Sequence, residues 1–397
     1  MKKFIQYLDE CANKKIKDEG EYIKMIYQIN SNFYFHNIGP NQLFVPIPKQ
    51  NATASSSYIH WQKTHEVSII PIHNEHVEPK EKIMIDTNIE SIQDIITIIE
   101  NNPYNKKYEY NIDLQSLHHI YFELKQINNM IGLDNLKKSI VDQLLYFIQN
   151  LHIGIEGDYK HTVLYGSPGT GKTEIAKLLG LLYSKIGILK NNVFQKVTRS
   201  DLIAGYLGQT ALKTQKVIEK SLGGVLFIDE AYSLADYSQN DSFSKECIDT
   251  ICEALSDHKN NLMVIIAGYE EELNETFFKM NKGLESRFIW KFKMDPYSAS
   301  ELKDIFMKKI GENGWQLEEG IDIPNQWFEK KINSFKYYGR DMDALFTYTK
   351  IAHGKRIYGK LPDIRKKISL DDLNKGYETF MKNKQEPKPN FIKNMYI

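Results

Sequence analysis

Two short stretches carry residue types whose spacing could do chemistry: Gly166-Ser167-Pro168-Gly169-Thr170-Gly171-Lys172-Thr173 and, further on, Asp229-Glu230. The first follows the order Gly, four residues, Gly-Lys, then Ser or Thr. Glycines let backbone N–H groups close around phosphate oxygens, and a following helix turns its positive end toward the same charge. Lys172 would then reach the β- and γ-phosphates, and the Thr173 hydroxyl would sit on Mg²⁺. The second stretch ends the apolar run Val225 to Ile228. There Asp229 would hold Mg²⁺ through its water shell, and Glu230 would orient and deprotonate an attacking water. An Asp-Glu pair alone is an ordinary strand end; behind a complete phosphate loop it implies a nucleoside triphosphate site.

Hydrophobic periodicity supplies the elements that must position these groups. Residues 161–165, 193–198, 225–228 and 262–267 read as buried strands, alternating with helices at about 171–185, 210–221 and 244–257. That alternation predicts an α/β fold, a parallel sheet covered by helices, with ligands at the carboxyl ends of the strands. After Asp295-Pro296 the strand signals stop. Helical patterns at 298–311, 325–334, 341–357 and 370–382 predict a small all-helical domain. The expected division is a separate α+β N-terminal region at 1–125, the P-loop domain at 126–295, a helical lid at 296–381 and a loose polar tail at 382–397.

The N-terminal region carries no motif tied to chemistry. Residues 4–34 suggest two helices broken near Gly20, and 67–70 and 83–85 suggest strands. Ile92, Ile95, Ile96 and Ile99 share one helical face until Asn101-Asn102-Pro103 stops it, and a helix capped by Asp113 follows with Leu114, Leu117, Tyr121 and Leu124. His73-Asn74-Glu75-His76 is read as a polar turn because no further ligand cluster accompanies it.

Residues 126–360 resemble the AAA+ ATPases, and more narrowly the CbbX/CfxQ and SpoVK group, which contains red-type Rubisco activases and a sporulation ATPase. The similar segments are Met130-Ile131-Gly132-Leu133, Arg199 to Thr210, Asp229-Glu230-Ala231-Tyr232, Ile265 to Tyr269, Gly283 to Phe288 and Gly339-Arg340-Asp341. The resemblance implies ATP and Mg²⁺ as cofactors, a homo-hexameric ring and a macromolecular client. It makes Tyr206 and Leu207 a pore loop, Arg287 an arginine finger acting on the neighbouring subunit and Arg340 the sensor 2 residue. Ile131 and Gly132 would pack against adenine. Two positions depart from the pattern: Gly268-Tyr269 stands where many AAA+ proteins place an Asn or Thr as sensor 1, leaving Tyr269 to that role, and Lys282 stands where the family often has Pro.

Composition narrows the class. With 42% hydrophobic and 26% charged residues and no long apolar run, the 397-residue chain reads as a soluble, cytoplasmic protein without a membrane segment. The 51 basic and 51 acidic residues cancel, which argues against dominant nonspecific affinity for nucleic acid. Only Arg199, Arg287, Arg340, Arg356 and Arg365 are arginine, so each is read as serving a planar, forked contact that lysine cannot supply. Cys11, Cys247 and Cys252 lack metal-ligand spacing, and Cys252 lies on an apolar stripe. The leading expectation is an ATP-driven remodeller of a protein client gripped by Tyr206. Two alternatives stay open: a nucleic-acid translocase or loader using the same engine, with Lys213, Lys216 and Lys220 facing DNA or RNA, and a scaffold that binds ATP without turnover.

Overall fold

The computed structural model describes residues 81–154, 157–206, 208–235, 242–360 and 364–385, together with strands Phe33–Phe35 and Pro46–Pro48. The helices expected within 4–34 lie outside the described residues except at 33–34, which belong to a strand instead; the strand at 67–70, the turn at 73–76, Cys11, Leu207 and the tail from 386 lie outside them altogether. The chain divides into two units, Met1–Lys80 and Glu81–Ile397. What is described of the first is an antiparallel pair, Phe33–Phe35 against Pro46–Pro48.

In the second unit five parallel strands form one sheet: β1 (Thr162–Tyr165), β2 (Phe194–Val197), β3 (Val225–Ile228), β4 (Met263–Gly268) and β5 (Trp290–Lys293), in the order β2-β3-β4-β1-β5. The three central strands are buried along their whole length because helices cover both faces. Successive side chains point to opposite faces and build two cores. Leu164, Phe227 and Ile265 join Leu178 and Leu182 on one side, while Val163, Leu226 and Val264 join Ile248 and Ile251 on the other. Each such side chain contributes roughly 1.5–3 kcal/mol by leaving water.

The helices relevant to the site are α1 (Ile92–Asn101), α2 (Asp134–Ile148), α3 (Lys172–Lys185), α4 (Thr210–Ser221) and α5 (Ser242–Asp257); all but α2, for which no range was expected, lie close to the ranges expected from periodicity. A capping box starts α1: the Ser91 hydroxyl accepts from Asp94 N–H, and Asp94 accepts from Ser91 N–H. The isoleucine stripe of α1, with Leu124 and Ile127, is buried in the same core as Leu178 and Leu182. The strand expected at 83–85 forms two residues earlier, at Glu81–Ile83, paired with Tyr108–Tyr110.

Strand β5 is absent from the periodicity reading. Its sequence, Trp-Lys-Phe-Lys, offers only Phe292 as a fully buried side chain, because an edge strand has half the core contact and keeps its charges in water. One buried polar group fixes the sheet beneath the phosphate loop. His161 Nε2 donates to Leu255 O at 3.1 Å and Nδ1 accepts from Val264 N–H at 3.0 Å, tying the start of β1 to α5 and β4. Burial pulls this imidazole down to about 3, so it stays neutral.

The C-terminal part is helical, with α6 (Ala299–Glu312), α7 (Tyr338–Ile357) and α8 (Leu370–Gln385) as its long members. It also contains a two-residue parallel pair, Gln316–Leu317 with Lys367–Ile368. Arg356 forks onto the buried Asp372 at 2.7 and 2.8 Å, and His353 Nδ1 lies 3.0 Å from the same carboxylate. Burial alone would raise Asp372; Arg356, the Ser369 N–H and His353 outweigh it and hold the carboxyl down at about 2. This network locks α7 to α8.

Candidate nucleotide-binding site

A cavity of about 300 Å³ opens at the carboxyl ends of β1, β3 and β4. The glycine loop supplies Gly166, Pro168, Gly169, Gly171, Lys172 and Thr173; the segment after β3 supplies Asp229, Glu230 and Tyr232; the segment after β4 supplies Gly268 and Tyr269. The helical region closes it with Lys309, Gly339, Arg340 and Asp343. Residues expected from motifs about 60 and 170 positions apart in sequence thus line one cavity.

The loop holds its shape through its own backbone. Gly166 N–H donates to Gly268 O at 3.1 Å, extending the sheet ladder into the loop. The Thr170 hydroxyl donates to Ser167 O at 2.8 Å, and Tyr297 O–H donates to Thr170 O at 3.0 Å. Gly169 and Gly171 stand at φ 81° and 97°, in the left-handed region that side chains disfavour. Lys172 Nζ donates to Gly166 O at 2.6 Å and Ser167 O at 2.8 Å. Burial pulls its ammonium down to about 8, against the opposing pull of Asp229.

Glu230 adopts φ 52° and ψ 47°, left-handed backbone in a residue with a full side chain. Such a conformation costs roughly 1–2 kcal/mol and persists where surrounding structure enforces it, commonly at functional sites. Asp229 is met by a lysine: Lys196 Nζ lies 2.7 Å from its Oδ2 and 3.5 Å from the Thr173 hydroxyl. Both carry oxygen donors suited to a hard divalent cation, and the ammonium beside them marks a place where positive charge is stable.

From the helical region, Gly339 N–H donates to Gly169 O at 3.1 Å, a direct backbone contact between the start of α7 and the phosphate loop. Tyr338 at φ 41° and the Asp341 carboxylate, which accepts from Tyr337 N–H at 2.8 Å, shape this turn. Lys309 and Asp343 form an ion pair at the rim. Tyr232, Lys196, Lys309 and Asp343 were not among the expected site residues. Tyr232 left a signal only as the last residue of the Asp229-Glu230-Ala231-Tyr232 segment; Lys196, Lys309 and Asp343 are brought in by tertiary packing.

Residues 162–289 match the family model of the ATPases associated with various cellular activities. Over 289 residues the chain is 38% identical to a cfxQ-like protein of Acanthamoeba polyphaga mimivirus, covering 72% of this chain and 71% of that protein. The chain belongs to the CfxQ- and SpoVK-like family of AAA+ ATPases. Stage V sporulation protein K of Bacillus subtilis is 36% identical over 222 residues, 53% of this chain and 68% of that one. Among solved structures, the AAA domain of FIGL-1 in complex with ADP aligns with 64% of this chain and 83% of its own, at 21% identity and a TM-score of 0.47. As an AAA+ ATPase the chain binds nucleotide and is an ATP hydrolase.

Within this AAA+ ATPase, Arg287 is not in the wall of its own cavity. Its Nε donates to the Ser256 hydroxyl at 2.7 Å and its Nη1 to Gly283 O at 2.6 Å. Lys282 precedes this short helix as an exposed N-cap in ordinary helical backbone. Ile131 and Gly132 also lie outside the cavity wall; a Cβ on Gly132 would fall 2.1 Å from Glu301 Oε1 and 3.4 Å from the Tyr297 ring. Tyr206 is 73% exposed, between Gly205 and Gly208, around which space is open. The helix Arg199–Leu202 leads into it, and Lys213 Nζ caps that helix by donating to Ser200 O at 2.6 Å and Ile203 O at 2.9 Å. Lys213 is therefore engaged in holding the loop's base. Cys247 and Cys252 are both buried thiols. Among the described residues no helix is long and apolar enough to cross a membrane.

Proposed function

We propose that this chain is a ring-forming motor, a homo-hexamer whose ATP hydrolysis remodels a protein client gripped by Tyr206. The observation that carries this reading is the convergence of phosphate loop, acid pair, Tyr269 and Arg340 on one cavity, while Arg287 lies outside it. Residues 126–295 act as the engine and 296–381 as the lid, with targeting carried by residues before them. The client is not inherited from any relative, because an engine can serve many tasks.

In this mechanism the loop N–H groups and Lys172 bind the triphosphate, with Lys172 exchanging its bonds to Gly166 O and Ser167 O for phosphate oxygens. Thr173 and Asp229 would hold Mg²⁺, which would supply positive charge to the triphosphate when bound. Glu230 orients a water and takes its proton. Tyr269 contacts the γ-phosphate side, Arg340 reports the nucleotide to the lid, and Arg287 from the adjacent subunit stabilises charge on the transferring phosphoryl group. An exposed aromatic ring such as Tyr206 offers contact area to a polypeptide without reading its sequence.

The deciding test uses Glu230→Gln and Tyr206→Ala. Glu230→Gln should keep ATP affinity and lose turnover by about 10²–10⁴; hydrolysis at the wild-type rate would remove the assigned base. Unfolded protein should stimulate wild-type ATPase, and Tyr206→Ala should abolish that stimulation while sparing basal turnover. Stimulation by single-stranded nucleic acid in its place would make the motor a translocase.

A further inference from the structure

We propose that Lys196 is an internal counter-ion of the metal site, competing with a divalent cation for Asp229 and Thr173. The proposal rests on the assignment of those two oxygens to Mg²⁺ made above. Lys196 sits on β2 in register with Phe227 of β3, one position before Val197 and Ile228. Its side chain shares the face on which Phe194 stacks on Phe227, and Nζ passes 5.7 Å from the Phe227 ring centroid. From there the ammonium reaches Asp229 Oδ2 at 2.7 Å and lies 3.5 Å from Thr173 Oγ1. The carboxylate is only 18% exposed, whereas the lysine is 44% exposed and has a path back to solvent.

Two positive centres on the same pair of oxygens repel strongly at such separations. Lys196 and a divalent cation therefore exclude each other. Without metal, Lys196 neutralises Asp229 beside Glu230 and keeps the cavity hospitable to a bare triphosphate. With metal, Lys196 must swing toward solvent, which lowers apparent metal affinity by the strength of the lost pair.

The same strand connects this exchange to the exposed loop. Beyond Val197, Thr198 caps the helix Arg199–Leu202, and Tyr206 follows. Arg199 Nη1 donates to Ser233 O at 2.7 Å and Leu234 O at 3.1 Å, just past Glu230. Two tethers thus join the start of the Tyr206 segment to the residues around the acid pair, and Lys196 is the one that metal contests.

The test titrates Mn²⁺, followed by its free-ion spin resonance signal, into the full chain holding a non-hydrolysable ATP analogue. Lys196→Met should bind Mn²⁺ about fivefold more tightly, the range an exposed ion pair can supply, and Lys196→Arg should stay near wild type. In EDTA the Met variant should bind the analogue more weakly than wild type. If Asp229→Ala loses Mn²⁺ while Lys196→Met matches wild type in both measurements, Lys196 is no competitor and the proposal fails alone. If Asp229→Ala binds Mn²⁺ as wild type does, the metal assignment fails first and takes the proposal with it.

Discussion

The nucleotide cavity has two walls made in different ways. On the sheet side, Lys172, Asp229, Glu230 and Tyr269 each follow a strand or loop whose backbone is fixed by buried neighbours, and Gly166 is bonded into the ladder itself. On the lid side, Lys309, Arg340 and Asp343 project from helices that meet the loop through a Gly339 to Gly169 backbone bond. The rigid wall can hold reacting groups to the tolerance that chemistry needs. The other wall rests on few polar contacts, which suits it to open and close with the state of the nucleotide.

The largest effect should come from a residue in neither wall. If the two walls of one chain sufficed, Arg287→Ala would leave turnover intact. We expect instead a loss of about 10³-fold or more, the range of a transition-state arginine, with ATP affinity little changed. Steady-state hydrolysis checks this, and mixing the variant with Glu230→Gln chains should recover activity, because each interface needs one intact residue from either side. Wild-type turnover in the variant would return all chemistry to the single cavity.

Next, the sheet wall should give nucleotide affinity a pH dependence of its own. Lys172 has its ammonium pulled down to about 8 by burial, and a triphosphate favours its charged form. Below pH 8 the lysine is charged before and after binding, so affinity is level. Above it binding must take up a proton, so affinity should fall by about tenfold per pH unit until the raised pKa of the bound state is reached. Isothermal titration in two buffers of different ionisation enthalpy would measure that proton uptake. Lys172→Arg should flatten the profile in this range.

Arg340→Ala tests the lid wall alone. A hydrogen-bonded charge of this type is worth about 1.5–3 kcal/mol, so ATP affinity should drop by about ten- to a hundredfold. Turnover at saturating ATP should drop less, since Glu230 and its strand stay in place. An equal loss in both would mean that the lid shapes the reacting geometry and that the two walls are not separable.

The same contrast explains what could be read from the sequence. The central strands came from apolar runs because their burial is continuous, α3 and α4 came from helical periodicity because each buries one face, and the phosphate loop and acid pair came from fixed spacing along the chain. Strand β5 escaped because Lys291 and Lys293 keep it half in water. Lys309 and Asp343 escaped because nothing local distinguishes a surface lysine on α6 from one that meets α7 beside a cavity. Glu230 was expected from its type, yet its left-handed backbone was not, since strain is imposed by the fold and leaves no mark on the side chain chosen. Lys213 was visible as part of a lysine stripe, but its use as a cap for the helix before Tyr206 depended on how α4 packs.

The smallest effect should isolate the backbone contact between the walls. A Cβ on Gly339 would fall 2.8 Å from Gly169 O, and Gly339 is not in a left-handed conformation, so alanine changes only the approach of lid to loop. Two terms oppose each other. Alanine near the start of α7 favours the helix by about 1 kcal/mol over glycine. Overpacking against a fixed carbonyl costs about 1–3 kcal/mol, but only while the lid is down. Gly339→Ala should therefore melt at or slightly above the wild-type temperature without nucleotide, yet gain less from added ATP, with affinity reduced severalfold. Thermal melts with and without ATP separate the terms. An ATP-induced rise equal to that of wild type would show that the nucleotide-bound lid does not use this contact, and the lid wall would then be held by its side chains alone.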